Sequence, residues 1–227
     1  MTYGLTVQND SNYIQIDSDT PRLCAIYSGT YSEDGTTATI TFSSPITTSE
    51  PPCMFIRNDQ SLPDTLYNGC TIIGVVGNWT GFTLSTNNTN FGIKGKWFAA
   101  VFSAKAEADY GLRMWAADGS IIYDSGTTPV LVTRASHSWT YQGSYNGSQG
   151  TGNYRSSNAG GGPLLSDEYF MINPFSRGAL CSNGGWAESG VQFNSTNNYL
   201  LWYAFQAFGL WIDAGQPAAI FARLPGT

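Results

Sequence analysis

The chain has 227 residues, enough for one or two cored domains, and a formal net charge of −6 with only 11% of residues charged. Three Lys and seven Arg, scattered along an acidic chain, exclude a basic nucleic-acid-binding surface. No apolar run approaches the roughly 18 residues of a membrane-spanning helix, and "MTYGLTVQND" lacks the basic and apolar stretches of a signal peptide.

Gly, Ser, Thr, Asn and aromatic residues dominate, a composition that favours strands and turns over helices. Residues 3–18, "YGLTVQNDSNYIQIDS", read as strand, polar turn, strand. "TATITF" (37–42) alternates as a half-buried strand should. "CMFIR" (53–57), "TIIGVVG" (71–77), "GFTLST" (81–86) and "KWFAAVFSAK" (96–105) are further strands. Residues 110–125, "YGLRMWAADGSIIYDS", repeat the opening hairpin, with Asp118-Gly119 as the turn. The glycine-rich stretch 143–162 has almost no aliphatic residue and reads as a long projecting loop available for contact. "DEYFMI" (167–172), "YLLWYAFQAFGLWID" (199–213, two strands or one bent strand) and "AAIFARL" (218–224) complete the set. The expected fold is all-β, an antiparallel β-sandwich with a long Gly-rich loop, forming a single domain over 1–227. Two β domains, 1–108 and 109–227, are the alternative.

Little in the chain suggests catalysis. His137 stands alone with no nucleophile motif beside it, and reads as a solvated loop histidine. The dispersed Cys24, Cys53, Cys70 and Cys181 lack metal-ligand spacing, and cytosolic synthesis favours buried free thiols. Glycoside hydrolysis needs two carboxylates across the sugar, and Asp167, Glu168, Glu188 and Asp213 are candidates to lie near one another. The expectation is a protein with no enzymatic activity, no cofactor and no metal. Trp97, Trp202 and Trp211 lie in apolar strand runs and are assigned to the core. Trp79, Trp139, Tyr141, Tyr145, Tyr154 and Trp186 lie beside turns or Gly-rich stretches and are candidate contact or glycan-stacking residues.

The repeated hairpin is the most specific feature. Its copies share Tyr3/Tyr110, Gly4/Gly111, Leu5/Leu112, Ile14/Ile121, Asp17/Asp124 and Ser18/Ser125. After a one-residue insertion, Thr20-Pro21 and Leu23 match Thr128-Pro129 and Leu131. Gly4 and Gly111 are expected to admit a close approach or a bulge. Tyr3 and Tyr110 are expected to bury their rings, and the Asp-Ser pairs to close the hairpin by accepting backbone N–H bonds. This pattern, Y-G-L-x-V/M, a polar turn, then I-x-x-D-S, resembles one in small tail proteins of tailed bacteriophages, where it opens the chain and recurs after the central strands. "PPCMFIRND" (51–59) is similar to their middle strand, so the resemblance covers roughly residues 1–135. It implies a virion structural protein of the tail tip, baseplate or fibre, made in the host cytoplasm and contributing to host attachment. Its implied partners are other tail proteins, copies of itself in threefold or sixfold symmetry, and a host-surface glycan or protein. A carbohydrate-binding module and a polysaccharide-degrading tail enzyme are the alternatives.

Overall fold

The computed structural model describes residues 6–8, 10, 14–17, 21–62, 65–86, 92–146, 152–158, 163–175, 177–180, 186–194, 199–206 and 217–227. Among these the fold is all-β and antiparallel, with one short 3-10 turn, Asn173–Phe175. In chain order the strands open with β1 (Thr6–Gln8), β2 (Ile14–Asp17), β3 (Leu23–Glu33) and β4 (Thr37–Ile46). There follow β5 (Cys53–Asn58), β6 (Leu66–Val75), β7 (Asn78–Thr86) and β8 (Ile93–Phe102). The second hairpin is β9 (Arg113–Trp115) and β10 (Ile121–Asp124), leading into β11 (Thr128–Pro129) and β12 (Leu131–Ser136). The remainder are β13 (Trp139–Asn146), β14 (Gly152–Asn158), β15 (Glu168–Met171), β16 (Arg177–Leu180), β17 (Trp186–Asn194), β18 (Tyr199–Gln206) and β19 (Ala219–Arg223).

Two sheets form a sandwich-like pair of layers. One runs β11-β3-β8-β5-β15-β19-β12, the other β13-β14-β18-β17-β6-β7-β4 with β16 beside β17. The first sheet curls until its edges meet. β11 and β12 are a single extended strand interrupted at Val130, pairing with β3 at one end and with β19 at the other. The Val130 N–H bonds to the Leu23 carbonyl at 2.9 Å, so hydrogen bonding runs from edge to edge. Strands β3, β5, β8, β15 and β19, with Val130 between β11 and β12, contribute to the cluster on its inner face. That cluster holds Phe55, Phe98, Ala100, Tyr169, Ala222 and Leu224, with Leu23, Ala25, Cys53, Val130, Met171 and Ile220 packed on it. Phe55 stacks on its cross-strand partner Phe98 at 4.6 Å, and Tyr169 meets Phe98 edge-on at 5.0 Å.

The outer face of the same strands packs on the second sheet. Met54, Ile56, Trp97, Ala99, Phe170 and Phe221 meet Phe42, Phe82, Leu84, Val191 and Leu200 in the larger core. Alternation explains this double duty, since neighbours along a strand point to opposite faces. A strand covered on both sides reads as an unbroken apolar run, as in "WFAAV" and "YFMI". Residues on both sides of position 108 fill both clusters, and β5–β15 and β6–β17 pair across it.

The glycine-rich stretch corrects one expectation. Gly143–Asn146 and Gly152–Asn158 belong to strands β13 and β14, and β14 also pairs with β18. Only 147–151 and 159–162 lie outside the described residues, so a single loop over 143–162 is not what the chain forms. Backbone pairing needs no aliphatic side chain, and Gly143, at φ 127°, sits at the register shift where β13 carries an extra residue. Of residues 199–213, Tyr199–Gln206 is strand β18 and 207–213 lies outside the described residues. Cys24, Cys53 and Cys70 are free thiols, and burial pushes Cys24 up to about 11 and Cys70 to about 12.

A buried polar chain ties the layers together. Tyr67 on β6 donates its hydroxyl to Asn58 Oδ1 on β5 at 2.6 Å, so the Tyr31 hydroxyl on β3, 2.7 Å away, donates to Tyr67. Burial pushes both phenols above their ordinary range, keeping them neutral. Tyr67→Phe leaves Asn58 and the Tyr31 hydroxyl without their partner and is expected to cost about 2–3 kcal/mol. Tyr31→Phe removes only the terminal donor and should cost about 1 kcal/mol. Equilibrium denaturation of both variants checks this order, and a larger loss for Tyr31→Phe would refute it.

Candidate functional site: the repeated hairpin

The two hairpins pair in the same register. Thr6↔Asp17, Val7↔Ile16 and Gln8↔Ile14 correspond position for position to Arg113↔Asp124, Met114↔Tyr123 and Trp115↔Ile121. Both have their register shift at the same step, between the second and third pairs. Tyr3, Gly4, Leu5 and Ser18 lie outside the described residues, and only the backbone pairing of β1 and β2 is described. The segments that follow the hairpins meet in space. Pro129 pairs with Cys24, and Leu23 accepts the bond from Val130, one residue from Leu131, its counterpart in the repeat.

The second copy shows how the motif closes. At its tip Gly119, with φ 85°, donates to the Ala116 carbonyl at 3.0 Å, while Asp118 Oδ1 accepts from the Ser120 N–H and hydroxyl. At its base Asp124 is buried. Its Oδ1 accepts from the N–H groups of Ala108 (3.0 Å) and Gly126 (2.8 Å), and its Oδ2 from Arg113 Nε at 2.5 Å. Arg113 also donates to the Ala108 carbonyl, clamping the entering chain. Burial alone would raise the Asp124 carboxyl, but the Arg113 bond and the two N–H donors outweigh it and hold it below the usual range. Ser125 Oγ accepts from Leu112 N, and a Cβ on Gly111 would overlap that hydroxyl. Both carboxylate oxygens are therefore occupied by N–H donors, the arrangement of a structural clasp. The first copy has Thr6 where the second has Arg113, so the guanidinium half of the clasp is not repeated.

Tyr110 corrects a second expectation. It is 93% exposed rather than buried, and the next residue, Gly111, takes a φ of 130° that residues with side chains rarely adopt. Leu112 (43%), Trp115 (58%) and nearby Phe102 (64%) are exposed too, giving the hairpin and its approach an apolar, aromatic surface. Beneath it, Ala116 and Ile121 share a cleft of about 630 Å³ with Pro21, Pro51, Phe102 and Met171.

The other candidate contact residues divide. Trp79 packs on the larger core and donates to the Thr48 carbonyl at 2.8 Å. Trp139 packs edge-on against Phe175 and donates to the Pro217 carbonyl at 2.9 Å. Each indole N–H is spent inside the fold, so both residues anchor it, while their side chains stay partly exposed. Tyr141 is 61% exposed on β13. Tyr145, Tyr154 and Trp186 lie in strands β13, β14 and β17, with side chains outside the described residues. Trp97 is core and Trp202 packs against it. His137 is exposed between β12 and β13. Asp167 pairs with Arg223 at 3.0 Å and Glu168, fully buried, pairs with Arg134 at 2.6 Å. Among the described residues no three His, Cys, Asp or Glu side chains group as metal ligands.

Asp124 gives the hairpin a pH dependence with a fixed sign. Its folded pKa is depressed, so the stability it contributes is present above the unfolded value of about 3.9 and is lost as pH falls through the lower folded value. Relative to Asp124→Asn, the parent is expected to lose stability progressively below about pH 4. Denaturation midpoints of both proteins between pH 2 and 6 check this, and a constant difference across that range would contradict it.

Comparison with protein-family models, curated proteins and solved structures found no match to this chain.

Proposed function

We propose that the chain is a structural component of a bacteriophage tail, at the tip, baseplate or fibre, where it contributes to host attachment. The observation that carries this reading is the doubled hairpin. Its sequence resembles the repeated element of small tail proteins, and its two copies pair with one register and one shared irregularity. A repeated, self-closing hairpin with exposed Tyr110, Leu112 and Trp115 supplies the aromatic surface through which symmetric assemblies make contact. In this reading the protein has no catalytic role. Its partners are neighbouring tail proteins and further copies of itself in threefold or sixfold arrangement.

An antibody against the chain is expected to decorate one end of the tail in electron micrographs of particles whose genome encodes it. In solution, light scattering should give a threefold or sixfold multiple of 24.5 kDa. Tyr110→Ser with Trp115→Ser should weaken that association by at least about tenfold. Unlabelled particles, with only monomer at every concentration, would refute the proposal.

A further inference from the structure

Three cations that look scattered along the sequence, Arg57, Lys94 and Lys96, meet at one mouth of the curled sheet. On β8, Phe98 and Ala100 face the inside of the curl, so Lys96 and Lys94, at steps of two, fall on that face. On β5, Phe55 faces inward, so Arg57 does too. Register places Arg57 directly opposite Lys96, with Thr30 of β3 on the other side of Lys96 and Ser32 opposite Lys94. These residues line one pocket of about 560 Å³, together with Asp59 and Ser166. Three of the ten basic residues of a chain with net charge −6 therefore share one cavity.

The charges there are not balanced. Lys94 pairs with Asp59 at 3.3 Å, and that carboxylate is further committed to the Ser61 N–H (2.9 Å) and hydroxyl (2.7 Å). These bonds hold Asp59 below its usual range, the Ser61 contacts contributing most. Among the described residues, neither the Arg57 guanidinium nor the Lys96 ammonium has a hydrogen-bond or ion-pair partner. Like charges directly opposite on antiparallel strands repel, and an anion seated between them relieves that repulsion. The remaining lining is rich in hydroxyls and amides, the groups that bond sugar hydroxyls. Gly95 lies between the two lysines, and its missing side chain leaves the strand room to pass the Arg57 carbonyl and the Tyr31 hydroxyl.

We infer that this pocket binds an acidic saccharide, a sugar unit carrying a carboxylate or phosphate, with Arg57 and Lys96 taking the anionic group and Thr30, Ser32 and Ser166 the hydroxyls. The inference stands on the pocket alone and does not depend on the tail reading.

The test is titration calorimetry on the intact chain at low salt with glucuronate, glucose 6-phosphate, glucose and inorganic phosphate. Either acidic sugar is expected to bind at least about tenfold more tightly than glucose or inorganic phosphate, and to weaken as salt rises. Arg57→Gln and Lys96→Gln should each weaken it by about tenfold or more, while the melting temperature stays level or rises as repulsion is removed. Phosphate binding as tightly as the sugars would overturn the saccharide assignment. Absence of binding up to about 10 mM, or unchanged binding in both variants, would overturn the site itself.

Discussion

Trp97 and Phe98 are consecutive residues that end in different cores, and the rest of the structure depends on that division. β5, β8, β15 and β19 have no solvated face along most of their length, because the curl covers one side and the second sheet the other. Each strand buries apolar area twice, at about 25 cal/mol per Å². Removing any one of them opens both clusters, which makes the two layers one cooperative unit. The same constraint drives charge out of the strand middles. Arg57, Lys94 and Lys96 follow Phe55 and Phe98 on the inner face, where the inner cluster ends while Ile56, Ile93 and Trp97 still pack on the second sheet, so the cationic mouth follows from the packing.

Polar contacts in the interior sit at joints. The Tyr31–Tyr67–Asn58 chain links the layers. Glu168, fully buried on β15, accepts from Thr133 Oγ1 at 2.5 Å, from Arg134, and from the Leu165 N–H. It therefore reaches past β19 to the strand that closes the curl, and Arg134 lies 4.3 Å over the Phe221 ring as it does so. Buried ion pairs bring large desolvation costs, and their best-attested use is fixing register. We take that as the role of Glu168 at the seam and of Asp124 at the base of the second hairpin. Residual stability after removing either partner, compared with removing both, distinguishes registry from net stabilisation.

The unbroken apolar runs were the legible part of the sequence. "CMFIR", "KWFAAVF", "EYFM" and "AIFAR" fall in β5, β8, β15 and β19, whose double burial favours apolar side chains on both faces. Strands built from Ser, Thr, Gly, Asn and Tyr were not legible. β3 and β14 carry few aliphatics, and their pairing depends on neighbours distant in sequence. For the same reason composition turned β13 and β14 into a loop. The repeat itself was visible, but the exposure of Tyr110 and the Arg113 clasp were not. Those follow from the path of residues 104–112, where Ala108 reaches Asp124. Alternate spacing of Lys94 and Lys96 was a usable signal, whereas Arg57 joins them only through the β5–β8 register.

The curled sheet closes through the strand 128–136, giving β5 and β8 an interior on both sides. Native-state hydrogen exchange at the Val130 amide, which donates to Leu23, tests it most directly. Closure predicts that Val130 exchanges at least about a hundredfold more slowly than an unstructured amide, together with its neighbours in β3 and β19. Exchange of Val130 at the unprotected rate, with β3 and β19 still protected, would show the seam to be open and contradict the account.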